Sequence, residues 1–213
     1  MTRTRPAGRT VVGALTSTIL LLTTGCTAQS DTHAPAAVTQ SSPPAAAMRI
    51  DKPATLLGTW TESVDRGFHD RAEQQMGTFK KLLAAGPTSA MGTAYVRAEE
   101  VHSGERGLHI PNDDQRVILI SAVSGTITDP TVALDKTFAG LPNVTAVGPI
   151  QPGALGGVAG CGIIQAKTGI PVDVCVWSDQ HTLGMVTLVG FAQTDDPRGV
   201  FGQIRAELER PAR

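Results

Sequence analysis

The chain has 213 residues, a formal net charge of −1, 41% hydrophobic residues and only 4% aromatic residues. Its acidic and basic residues nearly balance, and the basic ones are scattered, so the composition excludes a general nucleic-acid-binding surface. Because aromatic residues are few, valine, isoleucine and leucine must supply most of the core.

The N-terminal residues have the pattern of an export signal. Arg3, Arg5 and Arg9 precede a short apolar run over residues 11–22. A run of this length is shorter than the roughly 20 apolar residues that span a bilayer, and it matches a signal peptide with a positive start. We therefore expect a lipoprotein-type signal peptide over residues 1–25.

The sequence Leu22-Thr23-Thr24-Gly25-Cys26 resembles the bacterial lipobox, in which the cysteine becomes the lipidated first residue of the mature protein. Two small residues before the cysteine fit this signal, and Thr23 stands where leucine is usual. The alternative is an ordinary secretory signal that is cut nearby, after Ala28. The resemblance implies an exported protein that is anchored by acylated Cys26 to the outer face of the cell membrane; the alternative is a secreted protein.

Residues 26–54 are rich in alanine, proline, serine and threonine and have no apolar periodicity. Such a segment cannot bury enough surface to offset its chain entropy. It predicts a flexible stalk, followed by a single domain over residues 55–213. That length is compatible with one hydrophobic core.

The first half of the domain predicts one helix and two long strands. A short apolar segment, residues 56–60, precedes a helical pattern within residues 63–85, which Gly86 and Pro87 end. Strands are expected over residues 91–98 and 116–124. Between them, residues 99–115 are polar and interrupted by glycine and proline, which predicts a long loop.

The second half predicts two more helices. Thr128 or Asp129 caps the first, which begins at Pro130, and a short strand follows over residues 143–150. The last helix is expected to begin at Pro197 after a cap within residues 194–196. Its apolar stripe consists of Val200, Phe201, Ile204 and Leu208, and we expect Arg198, Arg205, Glu207, Glu209 and Arg210 to point away from it.

The stretch from Cys161 to Phe191 predicts three consecutive antiparallel strands. A three-residue hairpin loop with Gly169 in the left-handed conformation pairs Ala166 with Ile170. In this register Cys161 lies directly opposite Cys175, where Cα atoms approach to about 4.5 Å. That distance suits a disulfide, so we expect Cys161 and Cys175 to be linked.

A second turn at residues 179–182 places Trp177 opposite Gly184, a pairing that stabilises sheets. Both faces of this three-strand meander are then apolar. One face carries Cys161, Ile163, Cys175, Trp177, Val186 and Leu188, and the other carries Ile164, Val172, Val174, Val176, Met185, Val189 and Phe191. A half-exposed sheet would alternate, so either the domain covers both faces or one apolar face accepts a protein partner.

Together these elements predict an α+β fold. It consists of an antiparallel sheet of about five or six strands, a three-strand C-terminal meander pinned by a disulfide, and helices packed on the sheet.

We assign no catalytic residue, cofactor or metal ligand from the sequence. His102 and His109 share the 99–115 loop with two aspartates, but polar loop residues are usually solvated. His181 beside Asp179 has the composition of an acid–base pair, yet turn chemistry explains both residues. The glycine-rich run 153–160 lacks the Gly-Lys-Ser/Thr ending of a phosphate loop and precedes a strand, which favours a bent strand start.

Several short motifs resemble those of a group of uncharacterised actinobacterial exported or membrane-anchored proteins with a CG…CxWxD…G pattern before a C-terminal helix. The motifs are Ala154-Leu155-Gly156-Gly157, Cys161-Gly162, Val174-Cys175-Val176-Trp177-Ser178-Asp179, Thr182-Leu183-Gly184 and Ile204-Arg205. The resemblance covers about residues 118–209 and implies no activity.

We therefore expect a membrane-tethered, extracytoplasmic binding or accessory module of unknown ligand, without enzymatic activity. One alternative is an enzyme of unfamiliar type that uses the 99–115 loop. A second alternative is a purely structural envelope protein, for which no small-molecule pocket is expected.

Overall fold

The computed structural model describes residues 47–97, 99–103, 107–109, 116–165, 169–170, 172–191 and 196–212. The predicted signal peptide, the lipidation site Cys26 and the predicted stalk up to residue 46 lie outside the described residues. The last residues assigned to the stalk, 47–54, lie within them.

The described part of the chain contains three helices and twelve strands. The helices are α1 (Arg66–Lys80), α2 (Pro130–Ala139) and α3 (Pro197–Leu208). The strands are β1 (Met48–Ile50), β2 (Thr55–Leu56), β3 (Trp60–Glu62), β4 (Ser89–Val96), β5 (Val101–Ser103), β6 (Gly107–His109), β7 (Val117–Ser124), β8 (Val144–Ile150), β9 (Val158–Ile164), β10 (Val172–Ser178), β11 (Thr182–Val189) and β12 (Glu209–Pro211).

Eight strands form one antiparallel sheet in the order β2-β3-β4-β7-β11-β10-β9-β8. This confirms the α+β class, the antiparallel sheet and the C-terminal meander. The sheet is larger than the five or six strands expected, because the apolar segment after the stalk forms β2 and β3 at one edge. Within the described residues, two short ribbons, β1-β12 and β5-β6, form outside this sheet.

Helices α2 and α3 begin where the caps predict, and the three helices cover both faces of the sheet. The side chains of Asp129 and Asp196 accept backbone N–H bonds at the starts of α2 and α3, as expected from the Asp-Pro sequences. Helix α1 is shorter than residues 63–85, because Asp65 caps its start and Lys81 ends it. No helix in the described ranges combines the length and the apolar character that a bilayer span requires.

The core therefore has two halves, one on each side of the sheet. Residues of α1 and α2, including Phe79 and Phe138, pack against one face. Residues of α3 and of the β1-β12 ribbon, including Phe201 and Ile50, pack against the other. The sequence pattern left two alternatives: the domain covers both apolar faces of the meander, or one face stays open. In the structure the domain itself covers both faces.

The register of the meander is as expected. Cys161 lies opposite Cys175 and Trp177 lies opposite Gly184. The two cysteines form a disulfide with a Cα–Cα distance of 4.1 Å. Gly169 has a φ of +75°, in the left-handed region.

Only glycine fits at position 184, because the indole ring of Trp177 lies against the backbone there. A Cβ atom at this position would lie 2.0 Å from Cη2 of Trp177, closer than any non-bonded contact. The indole ring fills that space and is fully buried. The side chain of Phe201 lies beside it, with the ring centroids 6.0 Å apart.

Further details predicted from the sequence are wrong. The predicted stalk over residues 26–54 extends too far, because residues 48–50 pair with β12. Phe191 packs with Trp60 in the α3-side core rather than on the opposite face, because Gly190, with a φ of +73°, turns the chain. Ile163, expected on a buried face, is an exposed hydrophobic residue.

Candidate binding cleft

Four segments that are far apart in the sequence surround an open cleft of about 650 Å³. They are the glycine-rich loop between β8 and β9, the turn between β10 and β11, the first turn of α2, and the β1-β12 ribbon. The lining residues are Met48, Pro130, Thr131, Ala154, Leu155, Gly157, Val158, Asp179, Gln180, His181 and Glu209. A cavity of this size lies within the range of small-molecule sites.

Beside the cleft, Arg205 is buried with only 1% of its side chain exposed. Its Nε donates to Glu209 Oε1 at 3.0 Å, and its Nη1 donates to the carbonyl oxygens of Pro152 and Gly156, each at 2.8 Å. Its Nη2 donates to Asp179 Oδ2 at 2.7 Å and to Glu209 Oε2 at 3.5 Å. All five N–H donors of the guanidinium group thus have an acceptor.

We call Asp179, Arg205 and Glu209 the buried charge cluster. The side chain of Glu209 is fully buried and that of Asp179 is 14% exposed. Buried charges are tolerated when they are paired and hydrogen-bonded, and this cluster meets both conditions. It joins α3, the β12 strand, the β10-β11 turn and the glycine-rich loop, so it fixes the cleft's shape.

Asp179 also shapes the β10-β11 turn. Its Oδ1 accepts the backbone N–H groups of His181 and Thr182 at 2.7 and 2.8 Å. This arrangement is the turn chemistry expected for an aspartate at this position. The turn is further held by Gln180, whose carbonyl oxygen accepts the N–H of Ile127 at 3.0 Å.

The hydroxyl of Thr182 connects the charge cluster to the core. Its Oγ1 lies 2.7 Å from Asp179 Oδ2 and 2.8 Å from Glu209 Oε1. It also accepts the indole N–H of Trp177 at 3.2 Å. Because a threonine hydroxyl carries one proton, it donates to one of the two carboxylates at a time.

The glycine-rich loop presents its carbonyl groups to the arginine and leads into a strand. Gly157 has a φ of +83°, and a Cβ atom there would lie 2.4 Å from the carbonyl oxygen of Ser178. Glycine is therefore required for the loop to pack on the end of β10. Since β9 begins at Val158, the structure supports the bent strand start and not a phosphate loop.

The structure places the candidate residues predicted from the sequence in different regions. Asp179 and His181 both line the cleft, but it is the backbone N–H of His181 that contacts the Asp179 carboxylate. His102 and His109 belong to β5 and β6, and the two aspartates of that loop, Asp113 and Asp114, lie outside the described residues. Among the residues that the structure does describe, no group of three or more His, Cys, Asp or Glu could hold a metal ion.

The burial of Arg205 and Glu209 was not predicted from the sequence. Arg205 follows Phe201 by four residues and precedes Leu208 by three, so helical spacing alone places it on the buried stripe of α3. We expected it to point away because it is charged. The four-residue spacing of Arg205 and Glu209 was the available sequence signal for an ion pair between them.

The chain was compared with protein-family models, curated proteins and solved structures, and none of them matches it. Its function is therefore inferred from the geometry of the cleft.

Proposed function

We propose that this chain is an extracytoplasmic, membrane-tethered binding module, and that it binds its ligand in the cleft beside the buried charge cluster. The observation that carries this proposal is the combination of an open cleft of about 650 Å³ with a floor fixed by Arg205. Ligand sites are typically concave, largely preformed and lined by apolar groups with a few fixed polar ones.

The cleft favours a binding role over a purely structural one, for which no pocket is expected. It also favours binding over catalysis at this place. The carboxylate of Asp179 is engaged by Arg205, by Thr182 and by two backbone N–H groups, so its bonds maintain the turn. An enzyme that uses the 99–115 loop stays a prediction.

The position of the cleft fits a tethered protein. Met48, close to the first described residue, lines the cleft, so the chain enters the domain beside the cleft. A flexible chain of about twenty residues has a root-mean-square length of roughly 25 Å. If residues 27–46 form the stalk that their composition predicts, the cleft lies close to the membrane surface.

The anchor has its own test, the variant Cys26→Ser. We expect this variant to be released from the membrane fraction into the medium, because a lipid chain supplies the membrane affinity. Full retention of Cys26→Ser in the membrane fraction would contradict the anchor and leave the cleft unaffected.

Photo-crosslinking in the native membrane tests the cleft. A photoreactive phenylalanine analogue replaces Leu155, which lies in the cleft with 40% exposure, or Val147, which is 49% exposed and outside it. We expect an adduct of defined mass at residue 155 that is missing at residue 147. Equal labelling at both positions, or none at residue 155, would refute binding in the cleft.

A further inference from the structure

We infer that the ligand of the cleft is an organic cation carried on a short apolar chain, such as an alkylammonium group. This inference rests on the proposed function and specifies the chemistry of the ligand. Two properties of the cleft support it: the sign of the charge at its floor and the apolar character of its walls.

The floor has an excess of negative charge. Asp179 and Glu209 line the cleft and formally contribute two negative charges, whereas the cluster contains one positive charge, that of Arg205. All five donors of Arg205 already have acceptors within the protein, so this residue offers no N–H group to an anionic ligand. The charge left over at the floor is negative and favours a cation.

Among the described residues that line the cleft, His181 is the one basic side chain. Neither lysine nor arginine is among the described residues that line the cleft. The first turn of α2 contributes Pro130 and Thr131, and a helix N-terminus carries a partial positive charge. The carboxylate of Asp129 offsets that charge, since it caps the helix and accepts the N–H of Val132 at 3.0 Å.

The walls also explain why an apolar chain should accompany the cation. Met48, Pro130, Ala154, Leu155 and Val158 supply apolar surface on several sides of the cleft. A small inorganic cation would leave this surface in contact with water. An alkyl chain would cover it, and each methylene group buried there should tighten binding roughly fourfold.

The test uses the soluble Cys26→Ser chain and three probes of matched size: hexylammonium, hexan-1-ol and hexanoate. Binding is measured by chemical-shift titration at low salt. We expect hexylammonium to bind at least tenfold more tightly than hexanoate, with hexan-1-ol between them. The preference should shrink in 0.5 M NaCl, because salt screens charges near the surface.

Two charge variants at one position isolate the electrostatic part. Leu155→Glu and Leu155→Arg both replace an exposed leucine by a charged side chain, so they differ mainly in sign. We expect hexylammonium to bind at least tenfold more tightly to Leu155→Glu than to Leu155→Arg. The control Val147→Arg, outside the cleft, should bind as the parent chain does.

The possible outcomes separate the two proposals. Equal binding of all three probes, a preference for hexanoate, or the absence of binding by every probe would each overturn the cationic ligand. The binding function itself is decided by the adduct at residue 155 in the native membrane. An adduct there, together with no preference for hexylammonium, would retain the binding module and refute the cation.

Discussion

Removal of Arg205 should destabilise the domain strongly. The substitution Arg205→Met keeps the length and apolar stem of the side chain but removes a guanidinium group with five hydrogen bonds, four of them at 3.0 Å or less. It leaves the carboxylates of Asp179 and Glu209 buried without their counter-charge. Removing one partner of a buried pair costs about 3–5 kcal/mol, and we expect a value near the middle, about 4 kcal/mol.

Urea denaturation, followed by tryptophan fluorescence with the disulfide intact, measures this cost. With a slope of about 2 kcal/mol per molar urea, the midpoint of Arg205→Met should fall by about 2 M. Arg198→Met is the matched control, since Arg198 lies exposed on the same helix, and it should change the free energy of unfolding by less than about 0.5 kcal/mol.

Two further variants identify the cause of the loss. Arg205→Lys keeps the charge but has three donors for five acceptor contacts, so it should lose about half as much stability. Combining Arg205→Met with Asp179→Asn and Glu209→Gln should recover part of the loss, because the unpaired charges are then gone. A midpoint change below about 0.5 M for Arg205→Met would refute the structural role of the charge cluster.

Other positions give independent tests. Gly184→Ala should cost about 1–3 kcal/mol by overpacking, since its methyl group would overlap the buried ring of Trp177; unchanged stability would contradict the register. Replacing Cys161 and Cys175 by alanine should cost about 3 kcal/mol in the chain-entropy description of a loop of this length, measured by urea denaturation, whereas reactive thiols at Cys161 and Cys175 in protein purified without reductant would contradict the disulfide. Asp173→Asn should raise the urea midpoint at pH 7, because burial raises the pKa of the Asp173 carboxyl and so penalises its charged form in the folded state. This gain should disappear as the pH falls below the ordinary pKa of aspartate, about 3.9, and an equal effect at pH 7 and pH 3 would refute it.

The meander and the helix starts could be predicted from the sequence because their determinants are local. The position of Gly169 between two cysteines fixes the register of β9 and β10, and the turn at Asp179 fixes that of β11. The Asp-Pro pairs at residues 129–130 and 196–197 determine where α2 and α3 begin. Each of these features depends on residues that are neighbours in the chain.

The cleft could not be predicted in the same way, because it depends on distant parts of the chain. Strand β1 pairs with β12 across about 160 residues, and nothing within residues 48–50 signals such a partner. Arg205 was predicted to point away from the apolar stripe of α3. Helical spacing alone is compatible with its burial, but that burial makes sense only once the acceptors around it are known. Those acceptors, Pro152, Gly156 and Asp179, come from two separate loops.

The cleft beside the buried charge cluster is proposed to hold a ligand in the native protein. The most direct test is the mass of the protein isolated gently from the cells that produce it and measured under non-denaturing conditions. We expect a population heavier by one ligand than the polypeptide with its covalent modifications, present in the parent chain and in Val147→Arg and lost in Leu155→Arg. Identical mass distributions for all three proteins would contradict a ligand in the cleft.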